Sequence, residues 1–275
     1  MRNLISTYSL LLLCVAIITI TYACGAKKDV NIPDFSENKS KGSKEVSSEA
    51  LHKHSIWDEL TKKYVAESGF VDYKGMKSEK KKLDEYLQIL STNHPDDTWS
   101  SNDRKAYWIN AYNAFTVKLI LANYPVNSIK DLGGGVYRVN TPWDIKFINI
   151  EGYEYHLNDL EHNILRKEWS DGRIHAAVNC ASVSCPKLRK GAFIGNDLDE
   201  QLDAQMKDFI HDKTKNDISN PDQIKISKLF RWFSGDFKTD HQSVISFINQ
   251  YTVSPINEDT EIEYQEYDWG LNDIN

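Results

Sequence analysis

Cysteine is scarce in this chain, with four residues in 275, at positions 14, 24, 180 and 185. Basic residues are outnumbered, 33 Lys plus Arg against 40 Asp plus Glu, for a net charge of −7. No basic stripe breaks that balance, which argues against a nucleic-acid partner. No internal repeat is present. No linker-like break interrupts the chain after residue 50, so residues 51–275 are expected to form a single domain. The long apolar run, Leu10 to Ile20, is too short to span a bilayer in the mature protein.

That run lies in a segment with Arg2 as its only charge, and residues 1–23 read as a signal peptide. It ends in Thr21-Tyr22-Ala23-Cys24-Gly25, an arrangement that resembles the lipobox of bacterial lipoproteins, with Thr21 where Leu or Val is usual. Cys24 is therefore the expected lipidation site, and the expected address is the cell envelope, with the membrane as partner through the anchor. Residues 25–48 are polar and charged and cannot bury enough surface to offset the entropy of ordering. Residues 24–50 accordingly read as a lipid-anchored flexible tether. With Cys14 lost in the leader and Cys24 lipidated, the mature domain keeps two thiols, Cys180 and Cys185.

Apolar spacing predicts helices over 56–66 and 78–91, with a short extended segment at Phe70–Tyr73 between them. Residues 103–123 are apolar on nearly every side, which marks a helix buried all round and closed by Pro125. A permissive loop, Asp131–Gly135, follows. Residues 145–150 and 153–157, split by Glu151-Gly152, read as a β-hairpin. Asn158 with Glu161 predicts a capping box for a helix through Trp169. Residues 173–179 alternate Ile174, Ala176 and Val178 and read as a strand. Asn196 is expected to cap the next helix, and 223–226, 229–233, 242–251 and 261–264 read as strand, helix, helix and strand. The mixture argues an α+β fold with an antiparallel sheet and packed helices.

Cys180 follows the expected strand, in a loop rich in Ala and Ser that can present a side chain to solvent. Three readings stand side by side: a Cys–His active site with His175 or His162, a Cys180–Cys185 disulfide permitted by export, and a zinc site of both cysteines with histidines. C-x₄-C is not a usual zinc spacing, and no metal is expected. Glu161 falls near the centre of an apolar helix face, where a carboxylate needs a partner. It either caps the helix start or orients an imidazole or Arg. Asn110 and Asn113 lie three apart on the buried helix. Each either ties down a neighbouring loop or supplies an oxyanion donor.

Trp108-Ile-Asn-Ala-Tyr-Asn113, Leu160-Glu-His-Asn-Ile-Leu-Arg166 and Arg173-Ile-His-Ala-Ala-Val-Asn-Cys-Ala-Ser-Val-Ser-Cys-Pro186 together resemble domain-of-unknown-function family 547. Ser227 to Trp232 and Tyr264 to Asn272 resemble its closing segments. Family members are exported bacterial proteins and plant proteins in which a leucine-zipper segment is attached; no such heptad segment is present here. The family brings no firmly established activity. Its pattern matches Asn110, Asn113, Glu161, His162, Arg166 and Cys180. Plant-type members carry Ser where Cys185 stands and lack a counterpart of His175, which implies that neither a disulfide nor a Cys₂His₂ site is the shared function.

The resemblance therefore favours Cys180 as nucleophile, His162 as general base and Glu161 as the orienting group. Asn113 or Asn110 would be the oxyanion donor. Arg166, Asn110 and His175 would bind substrate, with Arg166 gripping a carboxylate bidentately. The expected activity is cysteine-peptidase or transglutaminase-like chemistry on the amide or thioester bonds of a peptide or small molecule, without a cofactor. The corresponding fold would be a distant or permuted papain- or transglutaminase-like arrangement, since His precedes Cys. The rival expectation is a non-catalytic envelope binding module, with Cys180 and Cys185 structural as a disulfide or zinc site.

Overall fold

The computed structural model describes residues 51–133, 141–220 and 222–275. The leader, Cys24, the tether over 24–50 and Gly134–Gly135 of the permissive loop lie outside the described residues. Among the described residues no helix is long and apolar enough to cross a membrane.

Helix α1 (Ser55–Tyr64) leads through a short turn, α2 (Tyr73–Met76), to α3 (Lys80–Thr92) and the long α4 (Ser101–Asn123). Ser100 starts α4 by accepting a hydrogen bond from the Asp103 amide at 3.0 Å, satisfying one of the donors that a helix start leaves open. Almost every side chain from Lys105 to Leu121 is buried, as the all-round apolar pattern predicts. α3 packs on both α1 and α4. In the expected extended segment Val71 makes isolated bridges to Val65 and Asp273, but Tyr73 already belongs to α2.

The hairpin forms from β1 (Ile148–Ile150) and β2 (Tyr153–Tyr155), antiparallel, with Ile148 opposite Tyr155. Its turn residues Glu151 and Gly152 have φ of +49° and +87°, the mirror-image turn that suits two-residue hairpins. The second pair, β3 (Gln223–Ile226) with β4 (Glu261–Tyr264), is parallel, contrary to the antiparallel expectation. A crossover makes this possible: α8 (Lys228–Trp232), α9 (Ser234–Phe237) and α10 (Val244–Asn249) all lie between the two strands.

Three local expectations are corrected. The segment Asp159–Leu165 is a π-helix that continues into α5 (Arg166–Glu168), and the expected Asn158–Glu161 capping box is not formed. His156 and Asp159 instead bond reciprocally, each amide to the other's side chain, and Asn158 reaches Asp144 at 2.7 Å. Glu161 is thereby left to turn inward. Residues 174–177 form one helical turn, α6, rather than a strand. The Asp171 carbonyl and carboxylate receive the amides of Ile174 and Arg173 and set that turn. A short apolar run does not resolve helix from strand by periodicity, and two alanines favour helix. Asn196 does not cap α7 (Leu198–His211); it lies within a 3₁₀ turn, Gly195–Asp197.

These elements make a single α+β domain of mostly helix. A larger apolar core surrounds α4 and a smaller one lies under α7, α8 and β3. α6 sits on their seam, because Ala177 packs into the larger core and Ala176 into the smaller. The residues that follow α6 carry the cysteines.

Candidate functional site

The cysteine loop is held from four directions. Asn113 of α4 donates to the Ala177 carbonyl at 2.9 Å and accepts the Asn179 amide at 2.8 Å. Asn179 donates to the Pro186 carbonyl at 2.7 Å and accepts the Ala181 amide, tying both ends of the loop together. Ser182 bridges Leu271, and Asn272 donates its backbone amide to Ala181 and its side chain to Asn179. Ala181 is held at φ +59°, a left-handed conformation that costs a residue with a Cβ about 1–2 kcal/mol. Strain of this kind persists where surrounding contacts over-determine the backbone, commonly at functional sites.

Cys180 opens onto a pocket of about 160 Å³ at the seam of the two cores. Glu161, His162, His175 and Cys185 also line it, and Trp143, Trp232 and Trp269 form aromatic walls. The Cys180 sulfur lies 2.9 Å from Cys185 Sγ, 3.2 Å from Ser182 Oγ and 3.4 Å from the Tyr267 hydroxyl. The Cys185 thiol, followed by Ser182 and Tyr267, draws the Cys180 thiol down to about 7 against its burial. Burial, and then the hydrogen bond to Cys180 and its charge, push Cys185 well above the ordinary thiol range. One thiol of the pair is thus acidic and the other is not.

Beside the cysteines runs a chain of charged groups. Arg166 grips Asp236 with Nε at 2.6 Å and Nη2 at 3.0 Å, and Asp236 meets His175 Nε2 at 2.7 Å. His175 Nδ1 faces Glu161 at 3.9 Å. Bonds from His175 and Arg166 hold the Asp236 carboxyl far below the usual carboxylate range despite partial burial. Burial lowers the His175 pKa although Asp236 opposes it. A neutral His175 therefore donates Nε2–H to Asp236 and turns the Nδ1 lone pair toward Glu161. Burial, then the Cys180 charge, raise the Glu161 carboxyl to about 7, with Arg166 and a hydrogen bond to Tyr112 acting against them. Phe233 stacks on His175 with ring centroids 3.9 Å apart.

The pocket gathers Cys180, Cys185, Glu161, His162 and His175, but several of their expected roles change. Among the described residues no imidazole hydrogen-bonds Cys180; the expected Cys180–His162 pair is not formed. His162 Nδ1 instead accepts from Arg166 Nη1 at 3.0 Å, and burial, with the Arg166 charge, lowers its pKa. Glu161 faces His175 Nδ1 at 3.9 Å rather than bonding His162. Arg166 spends its fork on Asp236 and has none left for a substrate carboxylate. Asn110 is fully buried, with both ends of its amide on the Phe193 backbone at 2.8 and 3.0 Å, and touches no substrate site. Asn113 is committed to the cysteine loop in the same way, so neither amide is free to be an oxyanion donor. Both take the loop-tying alternative. For the zinc reading, among the described residues no group of three or more His, Cys, Asp or Glu side chains is placed to hold a metal ion.

Sequence reasoning missed Asp236, Ser182 and Tyr267. Asp236 stands in a segment without any local signal, 70 residues from Arg166. Tyr267 had one, because it opens the closing motif Tyr267–Asn272. A larger cleft of about 570 Å³ also touches Asp236. Its basic groups pair with its own acids, Lys105 with Asp171 and Arg173 with Asp203, and no cysteine lines it.

Fold and site thus describe a mostly helical α+β domain with a cysteine pair and a buried carboxyl in one aromatic-walled pocket. Residues 97–210 match the family described as "Protein of unknown function, DUF547". The matched segment holds Glu161, His162, Arg166, His175 and both cysteines; Asp236, Tyr267 and Trp269 lie beyond it. No curated protein and no solved structure matches the chain.

Proposed function

We propose that the pocket is an acyl-transfer site in which Cys180 is the nucleophile toward amide or thioester bonds. One observation carries the reading. The accessible thiol of Cys180 shares one small aromatic-walled pocket with Glu161, His162 and His175; the surroundings draw the thiol down and the carboxyl up, each to about 7, and such perturbed groups gathered in a cleft mark candidate functional sites.

Cys180 thiolate attacks the carbonyl carbon and forms a thioester, while the protonated Glu161 gives its proton to the departing amine or thiol. Water, or an acceptor nucleophile, then attacks the thioester, returns a proton to Glu161 and frees Cys180. His175, fixed by Asp236, positions Glu161. His162 takes the role of neutral electrophile, since Arg166 occupies Nδ1 and leaves Nε2–H as a donor on a pocket wall. The cavity volume suits a small acyl group rather than a peptide segment, and the commitment of Arg166 disfavours a free carboxylate on it. The kinship to cysteine peptidases and transglutaminases is proposed for the chemistry. It reaches their fold only as a permuted arrangement, since His162 precedes Cys180.

The test is acylation of the reduced full chain, with Cys14→Ser and Cys24→Ser in every version, by short acyl thioesters, read by mass spectrometry. Wild type should gain one acyl group on Cys180, His162→Ala should react more slowly, and Cys180→Ser should gain none. An adduct that survives Cys180→Ser excludes this nucleophile and overturns the proposal; no adduct on wild type overturns it too and leaves a binding module in which the cysteines are structural.

We also infer that the protein is exported and lipid-anchored through Cys24 in the cell envelope, on the strength of the leader motif alone. Wild type should partition with membranes and Cys24→Ser should not; equal partitioning would sink this reading.

A further inference from the structure

The Cys180–Cys185 pair carries an inference that goes beyond acyl transfer and shares with it only the nucleophile. The two sulfurs are 2.9 Å apart, inside van der Waals contact and about 0.9 Å beyond a disulfide bond. The loop between them is preset for closure. Cys185 N bonds the Ser182 carbonyl, Cys180 N points at Cys185 Sγ at 3.0 Å, and Asn179 clamps both ends. The pair is also unequal. Both line the pocket, but Cys180 is half-buried whereas Cys185 is only 5% exposed, and hydroxyls of Ser182 and Tyr267 converge on Cys180.

A cystine used only as a staple has no need of hydroxyl donors on one sulfur or of a pocket in front of it. Thiol–disulfide exchange needs both: one accessible thiolate to attack and one sheltered thiol to resolve. The geometry points to a thiol–disulfide exchange couple in which Cys180 attacks and Cys185 resolves, acting on low-molecular-weight disulfides small enough to enter the pocket.

In the first step Cys180 thiolate attacks one sulfur of R–S–S–R, forming Cys180–S–S–R and expelling RS⁻. Cys185 then gives its proton to that thiolate, and its sulfur attacks Cys180 Sγ and expels the second RS⁻, which takes a proton from water. The external disulfide gains two electrons and the cysteine pair loses two. In reverse, a dithiol reductant reopens the pair. The acidic Cys180 and unacidic Cys185 suit these two roles.

The experiment treats the reduced full chain, carrying Cys14→Ser and Cys24→Ser in every version so that Cys180 and Cys185 are its thiols, with oxidised glutathione and follows intact mass and iodoacetamide-reactive thiols. Wild type should end two hydrogens lighter, with no glutathionyl group retained and with both thiols lost, and dithiothreitol should restore them. Cys185→Ser should stop at one glutathionyl group on Cys180, and Cys180→Ser should react at least about tenfold more slowly. Cys185→Ala serves as a second variant, with near-UV circular dichroism to show that each has folded. A wild type that retains the glutathionyl group, or keeps both thiols, overturns the proposal. Cys185→Ser should still accept an acyl group from thioesters, so the failure of exchange and the failure of acyl transfer are told apart.

Discussion

Replacing Glu161 by Gln tests the central electrostatic claim. The amide keeps the shape and the hydrogen bond to Tyr112 but cannot ionise. In the folded protein the carboxyl is raised from an ordinary 4.5 to about 7, which at about 1.4 kcal/mol per pH unit makes its ionisation cost up to about 3 kcal/mol. The folded state therefore binds an extra proton between those two values, and wild-type stability falls as pH rises through that window. Glu161→Gln removes the fall. Chemical denaturation should show the variant gaining on wild type by up to about 3 kcal/mol between about pH 5 and about pH 8. The same change withdraws a negative charge from beside Cys180, so the midpoint of iodoacetamide reactivity against pH should move down, by about one unit at most. A stability difference that does not change with pH, or an unmoved midpoint, would refute the electrostatic account.

Asn110→Ala should cost about 2–4 kcal/mol, because it strands two buried backbone groups of Phe193. It should leave the Cys180 reactivity profile unchanged in the folded protein, and a stable but unreactive variant would contradict its structural role. His54 is buried against the Tyr86 hydroxyl at 2.9 Å, and burial lowers it from 6.5 to about 3. Its stabilising contribution is whole above pH 6.5 and fades as acidification protonates the unfolded chain, by about 2 kcal/mol at about pH 5. His54→Asn, which tolerates the left-handed backbone at φ +48°, should remove that part of the pH dependence; identical slopes in wild type and variant would exclude it.

The sequence announces elements whose period is long or whose turn chemistry is strong. The α4 helix and the Glu151-Gly152 hairpin are both of this kind. It also places Cys180, Glu161 and His162 in one working region, because their motifs are dense and ordered. Partnerships are another matter. His175 sits on one helical turn that reads equally well as a strand, and its partner Asp236 lies 61 residues away with no pattern around it. Glu161 looks like a capping residue until one sees His156 and Asp159 satisfy each other at the helix start. Buried Asn side chains look alike whether they tie a loop or serve a substrate; only the positions of Phe193 and Ala177 decide.

The clasp made by the closing segment has a consequence for when the site comes into being. Tyr73 and Asn272, 199 residues apart, share a hydrogen bond of 2.7 Å, and Tyr267 reaches Cys180 across 87 residues. A ribosome delivers Cys180 and Cys185 long before it delivers Tyr267, and closing so wide a loop comes late in folding. Throughout that interval the nascent thiol lacks one of its hydroxyl donors and the pocket lacks the Trp269 wall. On the acyl-transfer reading, full reactivity waits for the closing segment, a form of timing written into chain order. Tyr267→Phe reproduces part of the unfinished state, and its alkylation midpoint should rise from about 7 toward that of an ordinary thiol. An unchanged midpoint would show that Cys185 and Ser182 suffice and that the site is competent from the moment they arrive.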